Sequence, residues 1–295
     1  MFAASRVEGR CMRFGVHVSI GAGFPRKTID EARAAGCDCI QIFAGNPRGW
    51  RRTPYDAGKW RAFRDLRKQY KIFPVVIHTS YLVNLTTDDK TLHKNSATLV
   101  AHDLEVAALG GIEYVNTHLG SYGTQDRPTG LKRVTETIVK LVDGAKPGPM
   151  LLLENSAGSG NLCGGTLEEL GAILRAVGSK RVGICMDTAH AWASGYDIHT
   201  AKGVEAFSGG IAKHIGFSRV HALHLNDTQV PLGARRDLHW HVGRGNIGPA
   251  GFRALLRRPE LADVAVICET PKTPAEDKAN LQAARRFAGV RRGTK

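Results

Sequence analysis

Short apolar segments alternate with longer amphipathic segments along almost the whole chain. The short segments are rich in β-branched residues and predict eight buried strands, at 13–19, 39–43, 73–78, 114–118, 150–154, 182–187, 220–225 and 264–269. The longer segments predict helices at 28–35, 57–70, 88–108, 132–143, 166–176, 201–214 and 274–287. This alternation indicates a parallel α/β fold, and eight is the number of strands in a (β/α)8 TIM barrel. A doubly wound open sheet is the alternative.

Ionisable side chains lie at or near the ends of nearly all the predicted strands. They are His17, His78, His118, Glu154, Asp187, His224 and Glu269. A barrel brings the carboxyl ends of its strands to one mouth, where the active sites of this fold lie, whereas an open sheet would spread these side chains along a line. The sequence therefore predicts one TIM-barrel domain at 13–287, with an N-terminal extension at 1–12 and a basic tail at 288–295.

Composition narrows the class of protein. Hydrophobic residues make up 42% of the 295 residues and charged residues 23%, which is typical of a globular chain rather than a disordered one. No apolar segment approaches the roughly 18 residues of a membrane span, and the first residues lack the apolar region of a signal peptide. The six cysteines form neither a C-x-x-C pair nor a zinc-finger spacing, so we expect reduced thiols in the cytoplasm.

The net charge is +14, from 41 Lys and Arg against 27 Asp and Glu. A charge so far from zero favours a polyanionic partner such as nucleic acid. A generally basic surface is the other interpretation, so the charge does not decide the function by itself.

Two further segments add candidate metal ligands to those at the strand ends. Asp187 and His190 lie three residues apart, and Asp237 and His239 lie two apart, a spacing that faces one way in an extended segment. Burying so many imidazoles and carboxylates together is costly without a compensating cation. The candidates are His78, His118, Glu154, Asp187, His190, His224, Asp237, His239 and Glu269. Such ligands suit Zn²⁺, Mn²⁺ or Fe, and because one zinc takes about four, the set fits three ions that share ligands.

Six motifs along the chain resemble the signatures of the endonuclease IV family of apurinic/apyrimidinic endonucleases. They are Gly15-Val16-His17-Val18-Ser19, His78-Thr79-Ser80-Tyr81-Leu82, Glu154-Asn155-Ser156-Ala157-Gly158, Asp187-Thr188-Ala189-His190-Ala191, His224-Leu225-Asn226-Asp227 and Gly245-Asn246-Ile247-Gly248. The resemblance implies a (β/α)8 barrel with three zinc ions, for which Mn²⁺ is a possible substitute. It assigns His78 and His118 to the first ion and Glu154 to a bridge between the first and second. It assigns Asp187, His224 and Glu269 to the second ion, and His190, Asp237 and His239 to the third.

The resemblance implies hydrolysis of the phosphodiester on the 5′ side of an abasic site in double-stranded DNA, leaving a 3′-hydroxyl and a 5′-deoxyribose phosphate, and trimming of blocked 3′ ends. Metal ions lower the pKa of bound water, and Glu154 would be the catalytic residue that orients this nucleophile. Asn46, Arg48 and Tyr81 would contact the DNA near the lesion. Arg235 and Arg236 are candidates for phosphate contacts. We expect a monomer of bacterial type, cytoplasmic and associated with the nucleoid.

The chain departs from the family pattern at Gly49, Leu238 and Arg244, and none of these is a candidate ligand. The departures concern the contacts with DNA and the affinity of the third site for its metal ion.

Two other functions stay open at this point. A sugar isomerase or epimerase on the same barrel would use only Glu154, Asp187, His224 and Glu269, and the fold alone does not separate these activities. The five additional ligands and the positive charge favour the endonuclease. A catalytically silent DNA-binding protein would have closed metal coordination, with no open position for water or substrate.

Overall fold

The computed structural model describes residues 12–51 and 54–290. The predicted N-terminal extension therefore lies outside the described residues apart from Met12, as does the predicted basic tail beyond residue 290. In the described part of the chain, eight parallel strands close into a barrel, in which each strand pairs with its neighbours in sequence and β1 pairs with β8. The strands are β1 (Arg13–His17), β2 (Cys39–Phe43), β3 (Val75–His78), β4 (Tyr114–Thr117), β5 (Met150–Glu154), β6 (Val182–Asp187), β7 (Val220–His224) and β8 (Ala265–Cys268). The prediction of a TIM barrel is confirmed.

Helices surround the barrel and follow the strands in turn. They are α1 (Arg26–Ala35), α2 (Ala57–Gln69), α3 (Lys90–Gly110), α4 (Arg127–Gly144), α5 (Leu167–Val177), α6 (Thr188–Ala193), α7 (Ala201–His214), α8 (Gly248–Leu256) and α9 (Pro274–Ala288). The helix predicted from residue 132 begins at Arg127, because Asp126 accepts a hydrogen bond from Thr129 N at 2.9 Å and caps an earlier turn. The sequence pattern does not predict α6 or α8.

The apolar core has two layers. The larger layer lies between the barrel and the helices, and it includes the fully buried Phe14, Phe63 and Phe252. The smaller layer consists of Cys39, Leu152, Cys185, Ala222, Ala265 and Ile267. Space at this level is tight, since a Cβ atom on Gly15 would lie 1.9 Å from the carbonyl oxygen of Cys39. The residues two positions further along several of these strands are the candidate ligands.

Candidate metal centre

Four of the candidate ligands belong to the side of the barrel that forms its interior. Side chains alternate along a strand, so residues two apart face the same way. Glu154 follows Leu152 on β5 by two positions, and Asp187 follows Cys185 on β6 in the same way. His224 follows Ala222 on β7, and Glu269, one residue beyond the end of β8, follows Ile267. The same alternation that fills the interior with apolar groups therefore places ionisable groups at its C-terminal mouth.

Glu154 is the centre of the predicted first group. It is 1% exposed. Its Oε2 lies 3.3 Å from His78 Nε2 and 3.6 Å from His118 Nε2. Donor atoms of His78, His118 and Glu154 come within 4.8 Å of one another. The two histidines and the carboxylate thus form a compact group of the kind that holds a divalent cation.

The second predicted group uses the other oxygen of the same carboxylate. His224 Nδ1 lies 3.0 Å from Glu154 Oε1, 3.0 Å from Glu269 Oε2 and 3.8 Å from Asp187 Oδ2. Glu154, Asp187, His224 and Glu269 together satisfy the 4.8 Å spacing. Glu154 is therefore positioned between the two groups.

The third predicted group lies beside Asp187. Asp237 Oδ1 lies 3.3 Å from His190 Nε2 and 3.1 Å from His239 Nε2. His239 Nε2 is also 3.6 Å from Asp187 Oδ2, and Asp187, His190 and His239 form a group with the 4.8 Å spacing. Asp187 thus contacts members of both the second and the third group, whereas the family resemblance assigns it to the second alone.

The donors fit a metal cluster. Within the described chain, His239 Nε2 is buried and has no hydrogen-bond partner, although it faces two carboxylate oxygens. A buried polar atom without a partner is costly, and a cation between the imidazole and the carboxylates would remove that cost. Imidazole and carboxylate donors suit zinc or manganese.

Backbone carbonyls select which imidazole nitrogen faces the cluster. The Nδ1 atoms of His78, His190 and His239 donate to the carbonyl oxygens of Thr79 at 2.7 Å, Asn155 at 2.8 Å and Glu269 at 3.2 Å. Because one nitrogen of a neutral imidazole carries the proton, each Nε2 is left with a free lone pair. Such second partners orient metal-binding histidines in proteins.

Amide side chains to which the sequence pattern assigns no role hold the acidic ligands, either at the carboxylate or at the backbone. Asn116 Nδ2 donates to Glu154 Oε2 at 2.6 Å, and Asn155 Oδ1 accepts from Asp187 N at 2.6 Å. Asn226 Nδ2 donates to Asp187 Oδ2 at 2.7 Å, while its Oδ1 accepts from Glu269 N at 2.8 Å. Asn155 and Asn226 stand in the family motifs, directly after and two residues after a ligand, which is the signal that could have identified them.

The carboxylates of the cluster raise the pKa of several of its imidazoles. Burial lowers the pKa of His190, but Asp187, Asp237 and Glu154 outweigh it and raise the pKa to about 10. Burial raises the pKa of Glu269, but His224 and His78 outweigh it and hold the pKa at about 2. Without a metal, protons on imidazoles such as that of His190 therefore compensate the buried carboxylates, whereas burial lowers the pKa of His118. A divalent cation would do the same with the imidazoles neutral.

The loop after β2 carries the first DNA-contact candidates. Asn46 Oδ1 accepts from Arg48 N at 3.0 Å, and both residues are exposed. The carbonyl oxygen of Pro47 accepts from Ser80 Oγ at 2.8 Å and from Tyr81 N at 3.0 Å, which ties this loop to the loop after β3. The Tyr81 ring is 56% exposed, and its centroid is 5.7 Å from that of His78. Arg48 and Tyr81 thus lie on adjoining loops at the rim of the candidate metal centre.

The loop between β7 and α8 carries the other candidates together with Asp237 and His239. Arg235 and Arg236 are exposed. Arg235 has a left-handed backbone with φ of 52°, and its N–H donates to the carbonyl oxygen of Ala193 at 2.9 Å. Arg244 forms an ion pair with Glu276 at 3.2 Å.

The fold and the site together define a TIM-barrel protein with a candidate metal centre at its mouth. The family model described as xylose isomerase-like TIM barrel matches residues 29–288. A curated relative from Methanoculleus marisnigri, probable endonuclease 4, is 42% identical over 94% of this chain and 99% of its own length. The crystal structure of endonuclease IV from Thermus thermophilus matches with a TM-score of 0.84 and 38% identity, over 94% of this chain and 99% of that one.

The chain belongs to the endonuclease IV family of DNA phosphodiester hydrolases. D-psicose 3-epimerase from Clostridium cellulolyticum H10 matches with a TM-score of 0.68 over 94% of this chain and 99% of that one, but at 17% identity. That likeness shows a common fold and no more. Among the described residues, none of the helices has the length and apolar character that crossing a membrane requires.

Proposed function

We propose that this protein is a zinc-dependent AP endonuclease of base-excision repair. It hydrolyses the phosphodiester on the 5′ side of an abasic site in duplex DNA, leaves a 3′-hydroxyl and a 5′-deoxyribose phosphate, and trims blocked 3′ ends. The observation that carries the proposal is the set of three donor groups found among the described residues. Four donors suffice for a one- or two-metal sugar isomerase, so the additional histidines and Asp237 point to the larger cluster.

Three zinc ions would be held by the three groups, and Mn²⁺ is a chemically suitable substitute. His78, His118 and Glu154 would bind the first ion, and Glu154, Asp187, His224 and Glu269 the second. His190, Asp237 and His239 would bind the third, with Asp187 close enough to share. When bound, such ions lower the pKa of water and offset the charge of a phosphate.

Glu154 is the catalytic residue of the proposal. Its two oxygens face different groups, and Asn116 fixes the orientation of Oε2. The carboxylate would therefore contribute one oxygen to each of the first two sites, and it would orient the water that attacks the phosphate.

The rim supplies the contacts to DNA. Tyr81 and Arg48 would enter the duplex beside the lesion, with Asn46 holding the Arg48 backbone. Arg235 and Arg236 would contact phosphates on the other side of the mouth, and the net charge of +14 favours the approach of a polyanion. An abasic nucleotide has no base to unstack, so moving it to the metal centre costs less than flipping an intact nucleotide.

The proposed enzyme acts as a monomer. Its barrel domain spans 13–287, with an extension at 1–12 and a basic tail at 288–295.

The test uses a duplex oligonucleotide with one tetrahydrofuran abasic analogue, which hydrolysis can cut but β-elimination cannot. The protein is assayed as purified, after chelation, and after addition of Zn²⁺ or Mn²⁺. We expect one cut on the 5′ side with a 3′-hydroxyl end, lost on chelation and regained with metal. A metal-loaded protein that leaves the duplex intact but epimerises a ketohexose would refute the proposal in favour of the isomerase.

A further inference from the structure

Gln41 is a fully buried polar residue in the middle of an otherwise apolar strand, β2. It lies two positions after Cys39, a member of the inner apolar layer, and therefore faces the barrel interior. Burial of an amide costs free energy unless its donors and acceptor find partners. The partners of Gln41 indicate why it is there.

Both ends of the Gln41 amide are engaged by the mouth of the barrel. Nε2 donates to Glu269 Oε1 at 2.5 Å and lies 3.3 Å from His17 Nδ1, while Oε1 lies 2.8 Å from His224 Nε2. The carboxylate of Glu269 can only accept a hydrogen bond, so the NH2 group must face it and the carbonyl must face His224. Burial lowers the pKa of His17 to about 3, so this ring is neutral and its Nδ1 can accept the second amide hydrogen.

This orientation fixes the protonation of His224. Because the Gln41 oxygen accepts from His224 Nε2, that nitrogen carries a proton, and a neutral His224 that binds a metal therefore has its free lone pair on Nδ1. Nδ1 is the nitrogen that faces Glu154 and Glu269, at 3.0 Å from each. His78, His190 and His239 are arranged the other way round, with Nδ1 engaged by a carbonyl and Nε2 facing the cluster. An amide side chain does for His224 what the backbone does for those three.

We propose that Gln41 is a positioning residue of the second metal site. It orients His224 to bind through Nδ1 and holds the Glu269 carboxylate beside it. The inference rests on the metal centre of the proposed function, and it concerns two ligands of one site. Loss of Gln41 therefore weakens the second site selectively and leaves the first and third sites in place.

The test compares Gln41→Leu, which removes all three contacts at similar volume, with wild type. Each protein is equilibrated with Zn²⁺ against a competing chelator, and the bound zinc and the melting temperature are measured. We expect one of the zinc ions to bind about 10- to 100-fold more weakly, the usual effect of losing a partner of a metal ligand. Gln125→Leu is the matched control, because Gln125 also bridges two segments, through Thr86 O and Arg133, away from the cluster. It should keep the wild-type zinc affinities.

A lower melting temperature with unchanged zinc affinities would reduce Gln41 to a structural role and overturn the inference. If Gln41→Leu does not fold, the isosteric Gln41→Glu, which puts a second carboxylate against Glu269, is measured in the same way. Cobalt-loaded proteins add a spectroscopic readout, in which only one site's absorption should change. Nitrogen NMR of the zinc-loaded wild type decides without any variant: we expect His224 protonated at Nε2, and protonation at Nδ1 would overturn the inference. A wild type that binds no zinc would instead refute the proposed function.

Discussion

Replacing Glu154 by Gln perturbs the centre of the candidate site with almost no change of shape. The carboxylate is 1% exposed and faces His78 and His118 with one oxygen and His224 with the other. An amide cannot replace it in either orientation. An NH2 group in place of Oε2 would lose the lone pair that the first group needs, and one in place of Oε1 would lose the lone pair that the second group needs.

The size of the effect follows from burial. Removing one partner of a buried charged pair costs about 3–5 kcal/mol. Because about 1.4 kcal/mol corresponds to a factor of ten in rate, cleavage should fall by about 10²- to 10⁴-fold if that loss is expressed in the transition state. Glu154 contributes to two groups, so the metal content should also fall by more than one ion.

The assay is cleavage of the tetrahydrofuran duplex under single-turnover conditions, together with metal analysis of the same sample. Glu169→Gln is the matched control. Glu169 is also buried, but it accepts from Tyr122 Oη at 2.7 Å and from Gly164 N at 2.5 Å, outside the metal groups. That variant should lose stability and keep its metal content. Cleavage by Glu154→Gln within tenfold of wild type, at full metal content, would refute the bridging role.

The remaining predictions concern the third site, the DNA contacts and pH. His239→Ala should release one metal and slow cleavage, and unchanged metal content would contradict the assignment of the third site. Arg236→Ala should weaken DNA binding and reduce its salt slope by about one, as for a lost phosphate contact; an equal slope in a salt titration would count against that contact. The metal-free protein should lose stability above neutral pH. The pKa values of His190 and His239 are raised to about 10 and 9, mainly by Asp187 against the effect of burial. The two histidines contribute fully to the free energy of unfolding below their pKa in the unfolded chain, which is about 6.5. This contribution is lost as the pH rises through 9 to 10. Melting temperatures of the metal-free protein that stay level from pH 6 to 10 would show this pairing to be absent.

The order of the barrel could be predicted because each strand is buried on both faces and each helix on one, which leaves different periodicities in the sequence. Helix α6 could not. It begins directly after β6, and Asp187 both ends the strand and caps the helix, accepting from His190 N at 2.8 Å. A helix of six residues is too short to display a periodicity. The same capping bond brings His190 back towards the mouth.

The ligands could be predicted because ionisable groups stand out at the ends of apolar strands. The amide side chains that hold the ligands by hydrogen bonds are neutral and do not stand out in this way. Asn116, Asn226 and Gln41 have no charge that a strand pattern would flag. Gln41 could nevertheless be noticed in the sequence, because it is an amide at an inward position of the apolar segment 39–43. A polar residue at such a position needs a buried partner, and the topology places that partner at the mouth.

Carboxylates and imidazoles differ in how many metal ions one side chain can bind. This difference explains which ligands are shared between two donor groups. An imidazole whose second nitrogen is held by a carbonyl or an amide has one lone pair left, and it can serve one ion. A carboxylate keeps more than one lone pair and can serve two ions. Glu154 faces two groups with different oxygens, and Asp187 faces two groups with Oδ2. Replacing a shared carboxylate should therefore disturb two ions, and replacing a histidine should disturb one. Metal analysis of Glu154→Gln beside His239→Ala measures that difference, and equal losses from the two variants would contradict this account of the site.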